Sequence, residues 1–160
     1  MKTLILGLGD PGLAVERVGL EVARELHATL DDPSIDIIET PAAGIDLFEI
    51  VAGYHKVIIV DCVGAGEGGF GELCRLGLED LELVPKNVTD HGVEYRAKIS
   101  VDGVHDAAMP GEISVYAIEV ASDIERSEGL EPVAREAVSR LADEIAREEF
   151  GDRMRESGWY

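Results

Sequence analysis

The 160-residue chain has few cysteines and few basic residues. Its two cysteines, Cys62 and Cys74, have no paired spacing, which argues against the disulfide framework of a secreted domain and favours a reducing, cytoplasmic compartment. Only 14 lysines and arginines stand against 33 aspartates and glutamates, so the net charge is -19. Nucleic acids and anionic membranes attract proteins through basic patches, and we therefore expect neither as a partner.

Long hydrophobic runs are also absent from the sequence. No run approaches the ~20 apolar residues that cross a bilayer, and the apolar run over residues 3–6 is too short for the apolar region of a signal peptide. No repeat and no second domain is visible. We expect a single domain over residues 1–150, followed by a flexible tail over residues 151–160.

The excess of acidic residues is most simply a solubilising surface charge. It also suits a basic protein partner, a metal ion or a salty cytoplasm. Composition alone does not choose among these interpretations.

Segments with the hydrophobic pattern of strands alternate along the chain with segments of helical period. Strands are predicted at residues 3–8, 35–39, 56–61, 72–76 and 113–120, and helices at 15–30, 46–52 and 132–150. The strongest strand signal is four consecutive β-branched residues, Val57 to Val60, that run into Asp61. Strands that alternate with helices at this spacing predict an α/β domain with right-handed crossovers and a mainly parallel sheet.

A glycine-rich turn follows the first predicted strand. Its spacing is Gly-x-Gly-x-x-Gly, formed by Gly7, Gly9 and Gly12. With Glu39 at the end of the next strand as a ribose-binding acid, this pattern is a dinucleotide fingerprint. Asp10 conflicts with it by placing a negative charge beside the expected pyrophosphate, and Pro11 lacks a backbone donor. A nucleotide- or dinucleotide-binding module is thus one interpretation of the turn.

Three residues favour a different site at the same edge of the sheet. Glu16 begins the first helix, Asp61 ends the strongest strand, and His91 lies in a loop. Strand ends and the helix starts that follow them converge on one edge, and this mixed oxygen and nitrogen set suits nickel, zinc, iron or manganese. Each residue also has a plain structural explanation: a helix-dipole carboxylate, a cap and a solvated histidine. Cys62 should point to the opposite face from Asp61 and belong to the core.

Several motifs in order make the chain similar to a known family. They are Gly7-Leu8-Gly9-Asp10 through Glu16-Arg17-Val18-Gly19, Ile37-Ile38-Glu39 with Ala43-Gly44, Val57 to Asp61, Thr89-Asp90-His91, Ile113 to Val120, and Gly129-Leu130-Glu131-Pro132. In these segments the chain resembles the hydrogenase maturation endopeptidases, which process the large subunit of nickel–iron hydrogenases.

The resemblance implies a twisted, mainly parallel sheet with helices on both faces, a single three-layer domain. It implies a protease that removes a C-terminal peptide from the large-subunit precursor after nickel insertion, with the substrate-borne nickel as the recognition handle. The family's nickel ligands fall on Glu16, Asp61 and His91. The chain departs from the family pattern at Val15, at Glu39 and in the segment 92–110, which is expected to select the hydrogenase.

Two hydrolytic mechanisms are consistent with these residues. A divalent ion can polarise the scissile carbonyl and lower the pKa of a bound water from ~15.7 to near neutrality. Alternatively, Asp61 or Glu16 acts as a carboxylate general base. If nickel arrives with the substrate, the free protein is expected to hold a divalent ion only weakly. A chaperone that checks nickel loading without cutting is a third, non-enzymatic interpretation.

Overall fold

In the computed structural model, the described part of the chain comprises residues 1–12, 14–41, 47–64, 72–76, 82–84, 98–100, 109–120 and 132–156. The elements in chain order are β1 (Thr3–Leu8), α1 (Ala14–Leu30), β2 (Ile35–Thr40), α2 (Leu47–Val51), β3 (Lys56–Gly64), β4 (Leu73–Leu76), β5 (Glu82–Val84), β6 (Lys98–Ser100), β7 (Glu112–Val120) and α3 (Pro132–Glu156). The predicted α/β alternation is confirmed, and β3 continues through Gly64 rather than ending at Asp61.

Five strands form one sheet in the spatial order β2-β1-β3-β7-β4. The pairs β1–β2, β1–β3 and β3–β7 are parallel, whereas β4 runs antiparallel along β7 at the edge. The predicted mainly parallel sheet is therefore correct, and so is the expectation of a short strand over residues 72–76. A separate parallel pair, β5 with β6, was not clear from the sequence.

The two faces of the sheet carry two separate apolar clusters, because side chains alternate along each strand. On one face α1 and α3 cover Ile58, Val60 and Cys62 of β3. On the other face Val57 and Ile59 pack in the cluster that contains α2. The helices on both faces confirm the three-layer architecture, and the buried position of Cys62 confirms that it belongs to the core.

The last helix is longer than the sequence pattern suggested. Its predicted apolar face is buried at Ala137, Leu141 and Ile145, but the helix continues to Glu156 instead of ending at Phe150. Residues 151–156, which were expected to form part of a loose tail, are thus helical. None of the described helices is long and apolar enough to cross a membrane.

A buried ion pair joins α3 to the start of β3. The ammonium of Lys56 lies 2.6 Å from Oε2 of Glu149, whose side chain is 2% exposed, and the Tyr116 hydroxyl donates to Oε1 over 2.6 Å. Burial opposes ionisation of Glu149, but hydrogen bonds from Lys56, Tyr116 and Ser114 outweigh it and hold the pKa of Glu149 below its usual value. Burial and the hydrogen bond to Glu149 raise the pKa of Tyr116. The network fixes α3 against β3 and β7 through Lys56 and Tyr116.

Several predicted features lie outside the described residues. They are the glycine-rich loop over 65–71, the loop with His91 within 85–97, the segment 101–108, the turn within 121–131 and residues 157–160. Glu16 belongs to α1, but only the placement of its backbone is described.

Candidate active site

The strand order reverses direction between β1 and β3. From β1 the chain passes through α1 on one face to β2, and from β2 it passes through α2 on the other face to β3, on the far side of β1. Open α/β sheets bind ligands at such a switch point, outside the carboxyl ends of the strands. Asp61 stands near the carboxyl end of β3, and Glu16 lies at the start of the helix that follows β1.

Asp61 is a buried carboxylate in β3, where Lys56 at the start is the other charged residue. Its side chain lies on the α2 face, because Ile59 belongs to the cluster on that face and alternate residues share it. It is 8% exposed, and the backbone N–H of Cys62 donates to its Oδ1 over 2.8 Å. This local hydrogen bond orients the carboxylate at the switch point.

Helix α1 contacts β3 immediately beside Asp61. The backbone N–H of Gly19 donates to Sγ of Cys62 over 3.0 Å. A Cβ at Gly19 would lie 3.0 Å from that sulfur and 3.5 Å from the carbonyl carbon of Asp61, so only glycine permits this approach without a shift. Glu16 lies three residues before Gly19, about one helical turn nearer the start of α1. The sequence pattern gave no indication of this contact.

A second glycine brings α1 close to β1. A Cβ at Gly7 would lie 3.1 Å from Cβ of Ala23 and 3.3 Å from Cδ2 of Leu20. Together Gly7 and Gly19 hold α1 against the two strands that flank the switch point, and so set where its first turn lies.

The backbone N–H groups of Gly9 and Gly12 in the glycine turn donate hydrogen bonds to other atoms of the protein. The N–H of Gly9 donates to the carbonyl of Thr40 over 3.0 Å, and the N–H of Gly12 donates to Oδ1 of Asp10 over 2.8 Å. Pro11 has no N–H to offer. A pyrophosphate cradle needs such donors directed at the ligand, so the described part of the turn does not form one.

Glu39, the proposed ribose-binding acid, is also engaged elsewhere. Its two carboxylate oxygens accept hydrogen bonds from Arg24 of α1, over 2.6 Å and 2.7 Å. This bidentate pair lowers the pKa of Glu39 and raises the pKa of the Arg24 guanidinium. Both halves of the dinucleotide fingerprint therefore have structural roles in this fold.

Of the three predicted metal ligands, the structure describes the side chain of Asp61 alone. It brings the start of α1, with Glu16, to the same edge of the sheet, while His91 lies outside the described residues. Within the described part of the chain, no three histidine, cysteine, aspartate or glutamate side chains are grouped to hold a metal ion.

One further acidic residue at this edge was not predicted from the sequence. Glu119 lies near the carboxyl end of β7, the strand next to β3. Its Oε2 is buried and has no hydrogen-bond partner among the described residues. The signal that selected Asp61, a carboxylate at the end of a strong strand, applies equally to Glu119.

Comparison with known proteins gives one family match. The family model described as HycI, hydrogenase maturation protease, matches residues 20–148. The matched segment includes Asp61 and His91, and Glu16 precedes it. No curated protein gives a significant match.

Solved structures with a similar fold include proteins described as hydrogenase maturation proteases. The hydrogenase maturating endopeptidase HybD from E. coli has a TM-score of 0.59 and 17% identity, with 99% of this chain and 94% of that chain covered. The nickel–iron hydrogenase maturation protease HycI from Thermococcus kodakarensis KOD1 has a TM-score of 0.51 and 19% identity, with coverage of 91% and 90%. HybD from Thermococcus kodakarensis has a TM-score of 0.54 and 16% identity, with coverage of 92% and 98%. At these identities the likeness shows the fold.

Proposed function

We propose a specific cleavage reaction for this chain, which belongs to the hydrogenase maturation protease family and is therefore a peptidase. The reaction is removal of the C-terminal peptide from the nickel-loaded large-subunit precursor of a nickel–iron hydrogenase. The partner is that precursor, and its nickel serves as the recognition handle.

The observation that carries the proposal is the position of Asp61. It is a buried, oriented carboxylate at the switch point, where the fold places ligands, and α1 contacts its strand at the neighbouring residue. Helix α1 supplies Glu16 to the same edge. We propose that Glu16, Asp61 and His91 bind the nickel carried by the substrate, because two carboxylates and an imidazole are donors that suit this ion.

Hydrolysis at this position needs a water molecule activated next to the scissile carbonyl. The Cys62 N–H bond fixes one oxygen of Asp61, which makes this carboxylate a candidate general base in a defined orientation. Nickel on the substrate would polarise the carbonyl or acidify a bound water. In both routes Asp61 and Glu16 are the catalytic residues, and a variant of either one should lose cleavage.

The test is incubation of the protein with a nickel-loaded large-subunit precursor, with release of the C-terminal peptide followed by mass spectrometry. We expect wild type and the control variant Glu49→Gln, which changes an exposed carboxylate on α2, to release the peptide. A triple variant, Glu16→Gln with Asp61→Asn and His91→Ala, should release none. Full cleavage by the triple variant would refute the site, and precursor binding without release by wild type would identify a nickel-checking chaperone.

A further inference from the structure

Two acidic residues, Glu72 and Glu119, are paired near the carboxyl end of β7. The backbone N–H of Glu119 donates to the carbonyl of Glu72 over 2.9 Å, which extends the antiparallel β4–β7 register by one pair beyond Leu73 and Ile118. Residues directly opposite in an antiparallel pair share a face of the sheet. Glu72 and Glu119 are therefore same-face neighbours, and like charges in this arrangement repel each other.

This pair lies on the same face of the sheet as Asp61. In β7, Val115 belongs to the α2-face cluster, so Ala117 and Glu119 follow on that face. Asp61 is the register partner of Ala117, and Glu119 is two residues farther along β7. Asp61 and Glu119 are therefore diagonal neighbours on one face of the parallel β3–β7 pair. Only the methyl group of Ala117 stands directly beside Asp61 on that strand.

Nothing in the described part of the chain neutralises Glu119. Its Oε2 is buried without a hydrogen-bond donor, and neither it nor Glu72 has an ion pair among the described residues. The basic side chains nearest along these strands, Lys56 and Arg75, contact Glu149 on the opposite face. A buried carboxylate oxygen without a donor costs free energy, which a donor from a bound molecule would recover. Glu119 as a whole residue is only partly buried, so it lies near enough to the surface for a bound molecule to approach it.

We propose that Glu119 is a specificity-determining residue that binds a lysine or arginine side chain of the substrate beside Asp61. The inference rests on the proposed function, because it assigns a substrate group to the same site. An ammonium or guanidinium group carries only donors and needs only carboxylates to bind it. A divalent ion at Glu119 would need further protein ligands, and no group of three exists in the part of the chain that the structure describes.

The experiment measures cleavage kinetics of wild type and Glu119→Gln on a panel of precursors. In each precursor one lysine or arginine near the cleavage point is replaced by glutamine. Loss of one charge-assisted hydrogen bond should raise the KM of Glu119→Gln on the natural precursor about tenfold to a hundredfold, with a smaller change in kcat. On the precursor that lacks the partner side chain, wild type and Glu119→Gln should have equal KM values. Glu25→Gln, which changes an exposed carboxylate on α1, is the matched control and should behave as wild type.

Thermal unfolding supplies the second measurement. Glu119→Gln should melt no lower than wild type, since the substitution removes an unpaired carboxylate, whereas a purely structural role would lower the midpoint. An equal effect of Glu119→Gln on every precursor would overturn the inference, even when wild type cleaves normally. It would also be overturned if Ni²⁺ or Mn²⁺ raised the midpoint of wild type and not that of Glu119→Gln. A different result is possible in calorimetry: wild type binds the precursor but does not cleave it, and Glu119→Gln binds it more weakly. That result would support the inference and refute the proposed function.

Discussion

The contact between Gly19 and Cys62 allows a quantitative prediction of how a substitution at Gly19 changes the free energy of unfolding. In Gly19→Ala, the new methyl group would lie 3.0 Å from Sγ of Cys62, so the sulfur must shift by a few tenths of an ångström. Overpacking of this kind costs about 1–3 kcal/mol, whereas alanine in a helix interior gains about 1 kcal/mol over glycine. The net change in the free energy of unfolding is a loss of up to about 2 kcal/mol.

The chain contains a control for the helix-propensity part. Gly151 also lies within a helix, and a Cβ there would meet nothing within 4 Å. Gly151→Ala should therefore stabilise the protein by about 0.5–1 kcal/mol. The clash itself is isolated by Cys62→Ala, because without the sulfur the nearest atoms to the new methyl group are backbone atoms at 3.5 and 3.6 Å, ordinary contact distances. In that background Gly19→Ala should stabilise, which amounts to a coupling of about 1–3 kcal/mol between the two positions.

Urea unfolding with linear extrapolation measures all four variants against wild type. The reasoning is refuted if Gly19→Ala stabilises as much as Gly151→Ala in the wild-type background. It is also refuted if the effects of Gly19→Ala and Cys62→Ala are additive. Since the shift occurs beside Asp61, Gly19→Ala should in addition reduce peptide release from the precursor, while Gly151→Ala should not.

Three further predictions concern the buried ion pair and the glycine turn. Lys56→Met should destabilise by up to about 3 kcal/mol in urea unfolding, since it leaves Glu149 buried without its closest cation; loss below 0.5 kcal/mol would contradict this account. Because the pKa of Glu149 is lower in the folded state, its contribution to stability is present above its ordinary value of 4.5 and is lost as pH falls through the folded value. Unfolding between pH 6 and pH 2 should therefore show an acid loss that is smaller in Lys56→Met. Calorimetric titration with NAD and with ATP should detect no binding; micromolar affinity would instead support the dinucleotide module.

The sheet was predicted well where the hydrophobic pattern of a single strand is enough to identify that strand. The run Val57 to Val60 consists of apolar β-branched residues, which predicts a buried strand, and all four residues are buried. Because side chains alternate between the two faces of a strand, the same run correctly predicted that Cys62 belongs to the core. Asp61 was selected from the same pattern, because it is the first charged residue after the apolar run, although the strand itself continues to Gly64.

Other features depend on segments far apart in the chain. Lys56 and Glu149 are separated by 93 residues, and nothing near either one indicates their contact. The approach of α1 to β3 at Gly19 depends on how a helix and a strand pack, which periodicity does not specify. Glu119 stands near the end of a strong strand, as Asp61 does, but its position next to Asp61 depends on the register of β3 with β7, which the sequence of either strand does not contain.

Side chains alternate between the two faces of β3, so two consecutive residues have different environments. The carboxylate of Asp61 lies at the candidate site, and the thiol of Cys62 packs against α1. A one-residue slip of β3 against β1 and β7 would exchange the two faces, so that Asp61 would enter the apolar layer under α1 and Cys62 would face the switch point. Misregistered chains would thus lose core stability and the candidate catalytic group together. A single-residue deletion between Lys56 and Val60 should therefore be far more damaging than one in an exposed turn, and this segment should tolerate substitutions of matched size but no change in length.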